Sequence, residues 1–171
     1  MTIKTLLLQG LLVFGAFSLF SSCGQSSGAS ENATSVRVLE AVNRERVSRG
    51  LGEVRFDGGL KKIAGEHASF LAKNVYPQNK KPTREMAHAN FKERGVKAKR
   101  KKYHSLSEVV MIGYAGDLDA VAERTITGWM NSPGHRKSIL DPSRRVMGVE
   151  TRLPSDQRYF VVGLLSDGQV K

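Results

Sequence analysis

The residues of this chain able to do chemistry are four histidines, one cysteine and a short run of cations. The histidines are His67, His88, His104 and His135, and the cysteine is Cys23. Imidazoles combined with a carboxylate can hold a divalent ion with an open position for water, or work as acid and base without metal. No H-E-x-x-H places two of them on one helix face, and no serine sits in a G-x-S-x-G elbow. Covalent catalysis therefore has no motif here, and any site must be assembled from residues distant in sequence. The cations are Lys97, Lys99, Arg100, Lys101 and Lys102. They read either as a solvated, mobile loop or as a docking patch for anionic lipid headgroups or acidic glycans.

The N-terminal residues bear on where that chemistry operates. Lys4 precedes an apolar run, Leu6 to Phe20, that is interrupted by Gln9, Gly10, Gly15 and Ser18. A bilayer span needs about 20 mostly apolar residues, and this run falls short. A charged start, a short apolar stretch and small residues after it form the layout of a secretory signal. The small residues end in Leu19-Phe20-Ser21-Ser22-Cys23, which resembles the lipobox of bacterial lipoproteins, with Phe20 where an aliphatic residue is usual. The resemblance implies cleavage before Cys23, a signal over 1–22, and acylation of Cys23 that holds the protein on a membrane. Gly24 to Ser30 is small and polar, so 23–34 is expected to be a flexible tether. No further cysteine exists to form a disulfide.

The remainder, 35–171, is long enough for one domain with a real core. The chain holds 27 Lys+Arg against 16 Asp+Glu, a formal net charge of +11. In an exported protein this favours acidic envelope polymers as partners. Nucleic acid is not expected, because no groove-binding motif or aromatic interleaving accompanies the basic run.

The elements that must position the histidines follow from periodicity. Ser35 to Arg49 predicts a first helix with Val38, Leu39 and Val42 as its apolar stripe, stopped by Gly50. Asp57 caps a second, on which Leu60, Ile63, Ala64, His67, Ala68 and Leu71 share one face. His67 there reads as a satisfied core histidine. A polar segment from Val75 to His104 is expected to be mostly loop, with one short helical turn near Phe91 and an exposed His104. Leu106 to Tyr114 predicts a strand. Asp117 or Asp119 caps a third helix carrying Leu118, Val121, Ala122, Ile126, Trp129 and Met130, and a short helix spans His135 to Leu140. Strands near Arg145–Arg152 and Arg158–Leu165 end the chain. Helices first and strands late predict an α+β fold with antiparallel strands.

Trp129-Met130-Asn131-Ser132-Pro133-Gly134-His135-Arg136-Lys137-Ser138-Ile139-Leu140 resembles the W-x-x-S-P-G-H-R-x-x-I-L signature of the CAP superfamily, in its bacterial, SCP-like branch. Leu39 to Arg46 resembles the opening L-x-x-V-N-x-x-R helix, Gly50 to Leu60 the G-L … D-x-x-L passage, and Val146 to Val149 the late I-G-V strand. The resemblance implies an α-β-α sandwich, a small antiparallel sheet between helical layers, with a cleft at one side. It places His135 at the second cleft histidine and His88, ahead of Phe91, Arg94 and Gly95, at the first. It also places Glu108 at the glutamate of the G-E-N motif. The glycine and asparagine of that motif are absent here, and Ser132 stands where eukaryotic members carry a second glutamate. On this basis His88, Glu108 and His135 are candidates for a weak divalent site such as zinc, for acid/base chemistry, or for a structural polar network. The expected function is a non-enzymatic envelope-binding module. A hydrolase using those residues and a carrier of a small lipid are the alternatives.

Overall fold

The computed structural model describes residues 27–75, 82–114, 117, 119–154 and 158–169. Cys23 and its flanking leader lie outside them. Among the described residues, no helix is long and apolar enough to cross a membrane.

Four strands form one sheet in the order β1-β3-β4-β2. They are β1 Arg55–Phe56, β2 Ser107–Tyr114, β3 Val146–Arg152 and β4 Arg158–Ser166. β4 lies centrally and pairs antiparallel with both β2 and β3. The expected antiparallel strands are all present. The two-residue β1 is an addition, and it runs parallel to β3. Nothing in so short a segment announces a strand; Arg55 and Phe56 are extended because their backbone meets that of β3.

β4 is buried along its whole length. Its side chains alternate between two cores, as a period of two requires. Tyr159, Val161 and Leu165 point into one with Val109, Trp129, Met147 and Val149. Phe160, Val162 and Leu164 point into the other with Leu60, Ile63, Leu71 and Val110. The first core is closed by α1 (Ser27–Val47), α5 (Val121–Asn131) and α6 (Pro133–Ile139). The second is closed by α2 (Gly58–Val75) and α4 (Phe91–Arg100), with the single-turn α3 (Arg84–Ala87) at its edge. This is an α-β-α sandwich. Each fully buried aliphatic side chain contributes about 1.5–3 kcal/mol by leaving water, and Trp129, with no exposed surface, anchors the first core.

Local chemistry sets the helix ends. Asp57 Oδ1 accepts from Leu60 N at 2.8 Å and caps α2 as expected. Gly50, at φ +73°, supplies the left-handed residue just after α1. Gly148 lets α2 lie directly on β3, since a Cβ there would sit 2.0 Å from Lys61 N.

Three expectations are corrected. α1 begins at Ser27, so Ser27 to Thr34 is helix and not tether. Its first turns are held by tertiary bonds: Glu31 Oε1 accepts from Leu153 N at 2.9 Å, and Ser35 Oγ meets Thr151 Oγ1 at 3.1 Å. The 75–104 segment contains the ten-residue α4 as well as α3. Arg94 and Ala98, one turn apart, are its buried face, and a stripe that narrow leaves little periodic signal. Finally, no side chain among the described residues caps α5. Asp119 pairs with Arg37 instead, and Asp117 Oδ1 accepts from Asp119 N at 2.9 Å.

Candidate functional site

A cavity of about 850 Å³ opens where α3, α6 and the start of β2 meet. His88, Glu108 and His135 all line it, with Phe91, Leu106 and Ser132. The three residues come from three different elements, so the sheet and helix packing determines their relative positions.

His88 follows α3 directly. Thr83 starts that turn, its Oγ1 accepting from Met86 N at 3.2 Å. Ala87 O accepts a hydrogen bond from His67 Nε2 at 2.7 Å. His67 is therefore the buried, satisfied histidine expected of it, and it also fixes the residue before His88. Burial lowers the His67 pKa, which keeps the ring neutral. Asn90 then takes φ 59° and turns the chain into α4.

Arg94, one turn into α4, folds back on this junction. Its Nη1 donates to Ala89 O at 2.6 Å. Its Nε and Nη2 donate to Glu108 Oε2 and Oε1 at 2.5 and 2.7 Å, a bidentate fork. His88 Nδ1 donates to the same Oε1 at 2.9 Å. The Glu108 side chain is only 2% exposed and that of Arg94 only 6%. Burial pushes the Glu108 pKa upward, but the hydrogen bonds from His88 and Arg94 and the guanidinium charge outweigh it and hold the carboxyl below its ordinary value. Glu108 lies inside β2, opposite Leu164, so it does not need the missing glycine and asparagine to be placed.

Because Nδ1 of His88 faces a carboxylate, that nitrogen carries a proton, and Nε2 is left as the ring nitrogen not engaged by Glu108. His135 is the third residue of α6. Its ring centroid stands 5.7 Å from that of His88, tilted by 55°. Burial, then the neighbouring His88 and Arg84, lower its pKa and favour the neutral ring.

α6 is positioned from both ends. Arg136 Nε donates to Met130 O at 2.5 Å across the α5–α6 junction. Arg46 of α1, 1% exposed, donates to Ile139 O at 2.6 Å, Asp141 O at 3.0 Å and Arg144 O at 3.3 Å. It thus satisfies carbonyls at the C-terminal end of α6 that the helix itself cannot.

Comparison with known protein families adds the decisive observation: the model of the cysteine-rich secretory protein family, CAP, matches residues 39–165. The chain belongs to the CAP family. Among curated proteins, YkwD of Bacillus subtilis is 29% identical over 124 residues, which is 72% of this chain and 44% of YkwD. The chain spans less than half the length of the curated relatives it matches. Among solved structures, an outer surface protein of Borrelia burgdorferi superposes with a TM-score of 0.61 at 19% identity, over 78% of this chain and 92% of that one. A cysteine-rich secretory protein of Staphylococcus aureus superposes with a TM-score of 0.56 at 19% identity, over 81% of this chain and 39% of that one. These likenesses share the CAP fold with this chain. Its CAP domain differs from the family's description in one respect: the single cysteine lies before residue 39, so nothing within 39–165 can be disulfide-linked.

The CAP cleft thus brings together the three residues expected in it. It also contains a fourth, Arg94, whose part the sequence reading missed. The only signal was its place three residues after Phe91. His104 is exposed and stands apart from the cleft. The basic run lies on the last turns of α4 and just beyond it, not on a loop, and Lys97 pairs with Glu66 of α2.

Glu108 has both oxygens engaged, and among the described residues no three His, Cys, Asp or Glu side chains cluster as metal ligands. The His88 and His135 rings can be compared with a two-histidine metal site only by their spacing. Two imidazoles on one tetrahedral zinc have centroids about 5 Å apart, close to the 5.7 Å observed.

Proposed function

We propose that this protein is an exported, lipid-anchored CAP protein that binds a component of the cell envelope without turning it over. The observation that carries the reading is the state of Glu108. A general base needs a carboxylate free to take a proton from substrate or water. Glu108 is buried, forked by Arg94 and hydrogen-bonded by His88. Its charge orients His88 and is spent on that. What the cleft offers a ligand is Nε2 of His88, the ring of His135 and the apolar Phe91 and Leu106. Lys99, Arg100, Lys101 and Lys102 on the adjacent face supply attraction to acidic envelope polymers, which weakens with salt. The leader layout and Cys23 support export and the membrane anchor.

The test is co-sedimentation with purified cell-wall and outer-envelope fractions, alongside an assay for soluble breakdown products. Retention that falls as salt rises, with no product released, is the expected outcome. Turnover that His135→Ala abolishes while the melting temperature holds would replace this reading with a hydrolase.

A second reading rests on the spacing of the two rings. A divalent ion such as zinc would be held by His88 and His135, where it would act as a Lewis acid towards a bound ligand or water. Calorimetric titration of zinc against the His88→Ala/His135→Ala double variant tests it. Saturable binding lost in the variant supports the site, and equal behaviour of the two removes it.

A further inference from the structure

β2 ends the sheet on one side, so one of its edges has no strand beside it. The ladder determines which residues face that edge. Asp57 N donates to Met147 O at 2.9 Å, so the Met147 backbone points to β1. Backbone groups alternate in direction along a strand, so Gly148 and Glu150 point to β4, where they meet Leu164 and Val162. Ser166 O accepts from Arg145 N, on the β3 side, as the same alternation requires. The intervening residues of β4, Val161 and Gly163, point to β2, opposite Met111 and Val109. That leaves the N–H and C=O groups of Glu108, Val110 and Ile112 directed away from the sheet. Among the described residues, nothing hydrogen-bonds to them. Further along the edge, Tyr114 O accepts from Arg124 Nη1 at 3.0 Å, in keeping with the same alternation.

The histidine cleft runs along this edge. Glu108, Val110 and Ile112, the three outward-directed residues, all line it. One wall is α3, whose Met86 and Ala87 pack on the second core, and the other is α6, whose Ile139 packs in the first. A space that touches both layers and β2 crosses the edge of that strand. Glu108 to Ile112 spans about 14 Å at 3.4 Å per residue, enough to pair with four or five residues of another strand. An unpaired strand edge is a template for adding one. The Ser107 hydroxyl, buried without a partner, lines the same end of the cleft.

The walls admit a single strand. A second copy of this chain would bring its own α3 and α6 beside its β2, and the two sets of helices would collide before the edges met. Charge selects further. Glu108 is the only carboxylate lining the cleft among the described residues, and Arg94 already matches it. Arg84, on the α3 wall, is exposed and in no ion pair among the described residues. The unmatched charge is positive, so it complements a strand that carries a carboxylate.

We infer that the cleft binds an extended, acidic L-peptide segment of a partner protein, added to the sheet as a fifth strand along the free edge of β2. Backbone hydrogen bonds to Glu108, Val110 and Ile112 supply affinity, and the pockets for alternate side chains supply specificity. Guest side chains on the α3 side meet Val110, Ile112 and Arg84. This names the ligand class of the cleft and rests on the reading of that site as one that binds without turnover.

The test uses the full chain carrying Cys23→Ser and fluorescein-labelled nonapeptides of alternating threonine and valine, with one glutamate moved through the positions. Binding is read by fluorescence anisotropy. At least one peptide is expected to bind saturably, and more tightly than its glutamine counterpart. Only alternate guest amides face β2. N-methylation of one alternate set of amides is therefore expected to weaken binding by about tenfold or more, and methylation of the other set by less than about twofold. Val110→Pro removes an edge donor but no ladder bond, because proline is tolerated where the N–H faces away from the ladder. It is expected to weaken binding about as much as the sensitive methylation while the protein stays folded. No saturable binding by any peptide, equal loss from both methylation sets, or a dimer that Val110→Pro dissolves would each overturn the inference. Peptides that fail while the protein still co-sediments with envelope fractions would remove the inference and leave the proposed function standing. A bound peptide that is cut, with the alternation intact, would support strand addition and remove the proposed function.

Discussion

Two buried arginines brace the two walls of the cleft, and they do it by different physics. Arg94 is matched by a carboxylate, Glu108, in a bidentate pair. Arg46 is buried among backbone carbonyls, donating to those of Gly52, Ile139, Asp141 and Arg144. One brace balances charge with charge and is tied to proton uptake. The other spreads a single charge over dipoles at a helix end, where the macrodipole already favours a cation. The lesson is that a buried charge needs a full set of partners, and that the nature of those partners decides which conditions loosen it.

The largest effect is expected at Arg94. Arg94→Met leaves Glu108 buried beside His88 alone, and breaking such a pair costs about 3–5 kcal/mol, read by urea denaturation at pH 7. Adding Glu108→Leu is expected to recover most of it, since an apolar pair needs no partners. A double variant no more stable than Arg94→Met would show that the arginine acts through packing instead.

Arg46→Met comes next, at about 2–3 kcal/mol for carbonyls left without donors. The sharper difference is in pH. The Arg94→Met penalty is expected to shrink on acidification, because the stranded carboxylate can be neutralised by a proton. The Arg46→Met penalty is expected to stay flat. Parallel pH profiles for the two variants would erase the distinction.

Acid lability of the native domain is the third expectation. His67 and His135 have folded pKa values below 6.5, the value they regain when unfolded. The unfolded chain therefore binds their protons more readily, and stability is full above 6.5 and falls as pH drops towards the folded values. Glu108 acts in the same direction at lower pH. Its depressed pKa adds stability above 4.5 that is lost as pH falls through the folded value. A melting temperature that rises as pH falls from 7 to 5 would contradict the histidine sign, and one that rises as pH falls further below 4.5 would contradict that of Glu108.

The smallest effect belongs to His135 itself. It has no hydrogen-bond partner among the described residues and is partly exposed, so His135→Ala is expected to cost under about 1 kcal/mol. That makes it the cleanest variant for separating ligand binding from folding.

The sheet and the main helices were legible because their periodicity is strong. α2 repeats apolar residues every three or four positions, and β4 is apolar on both faces because helices cover both. The cleft histidines were legible only through the Trp129–Leu140 block and the order of the weaker passages around it. α4 was not, because its inward face is one alanine and one arginine among lysines and a glycine. That same arginine is the missing member of the site. A cation predicts the surface unless its partner is known, and Glu108 lies fourteen residues away on another element. β1 and the early start of α1 were hidden for a related reason, since tertiary bonds and not propensity hold them.

The position of β4 bears on when the molecule can fold. It is the last strand to be made and the middle one of the sheet, bordered by β2 and β3. Until it leaves the ribosome, β2 has no strand to pair with and β3 has only the two-residue β1, and Glu108 has no strand to hold it in register. Helices can flicker earlier, but the cleft comes into being in one step with the final residues of the domain. Interruption of synthesis before Arg158 would leave a chain with every cleft residue present and no cleft.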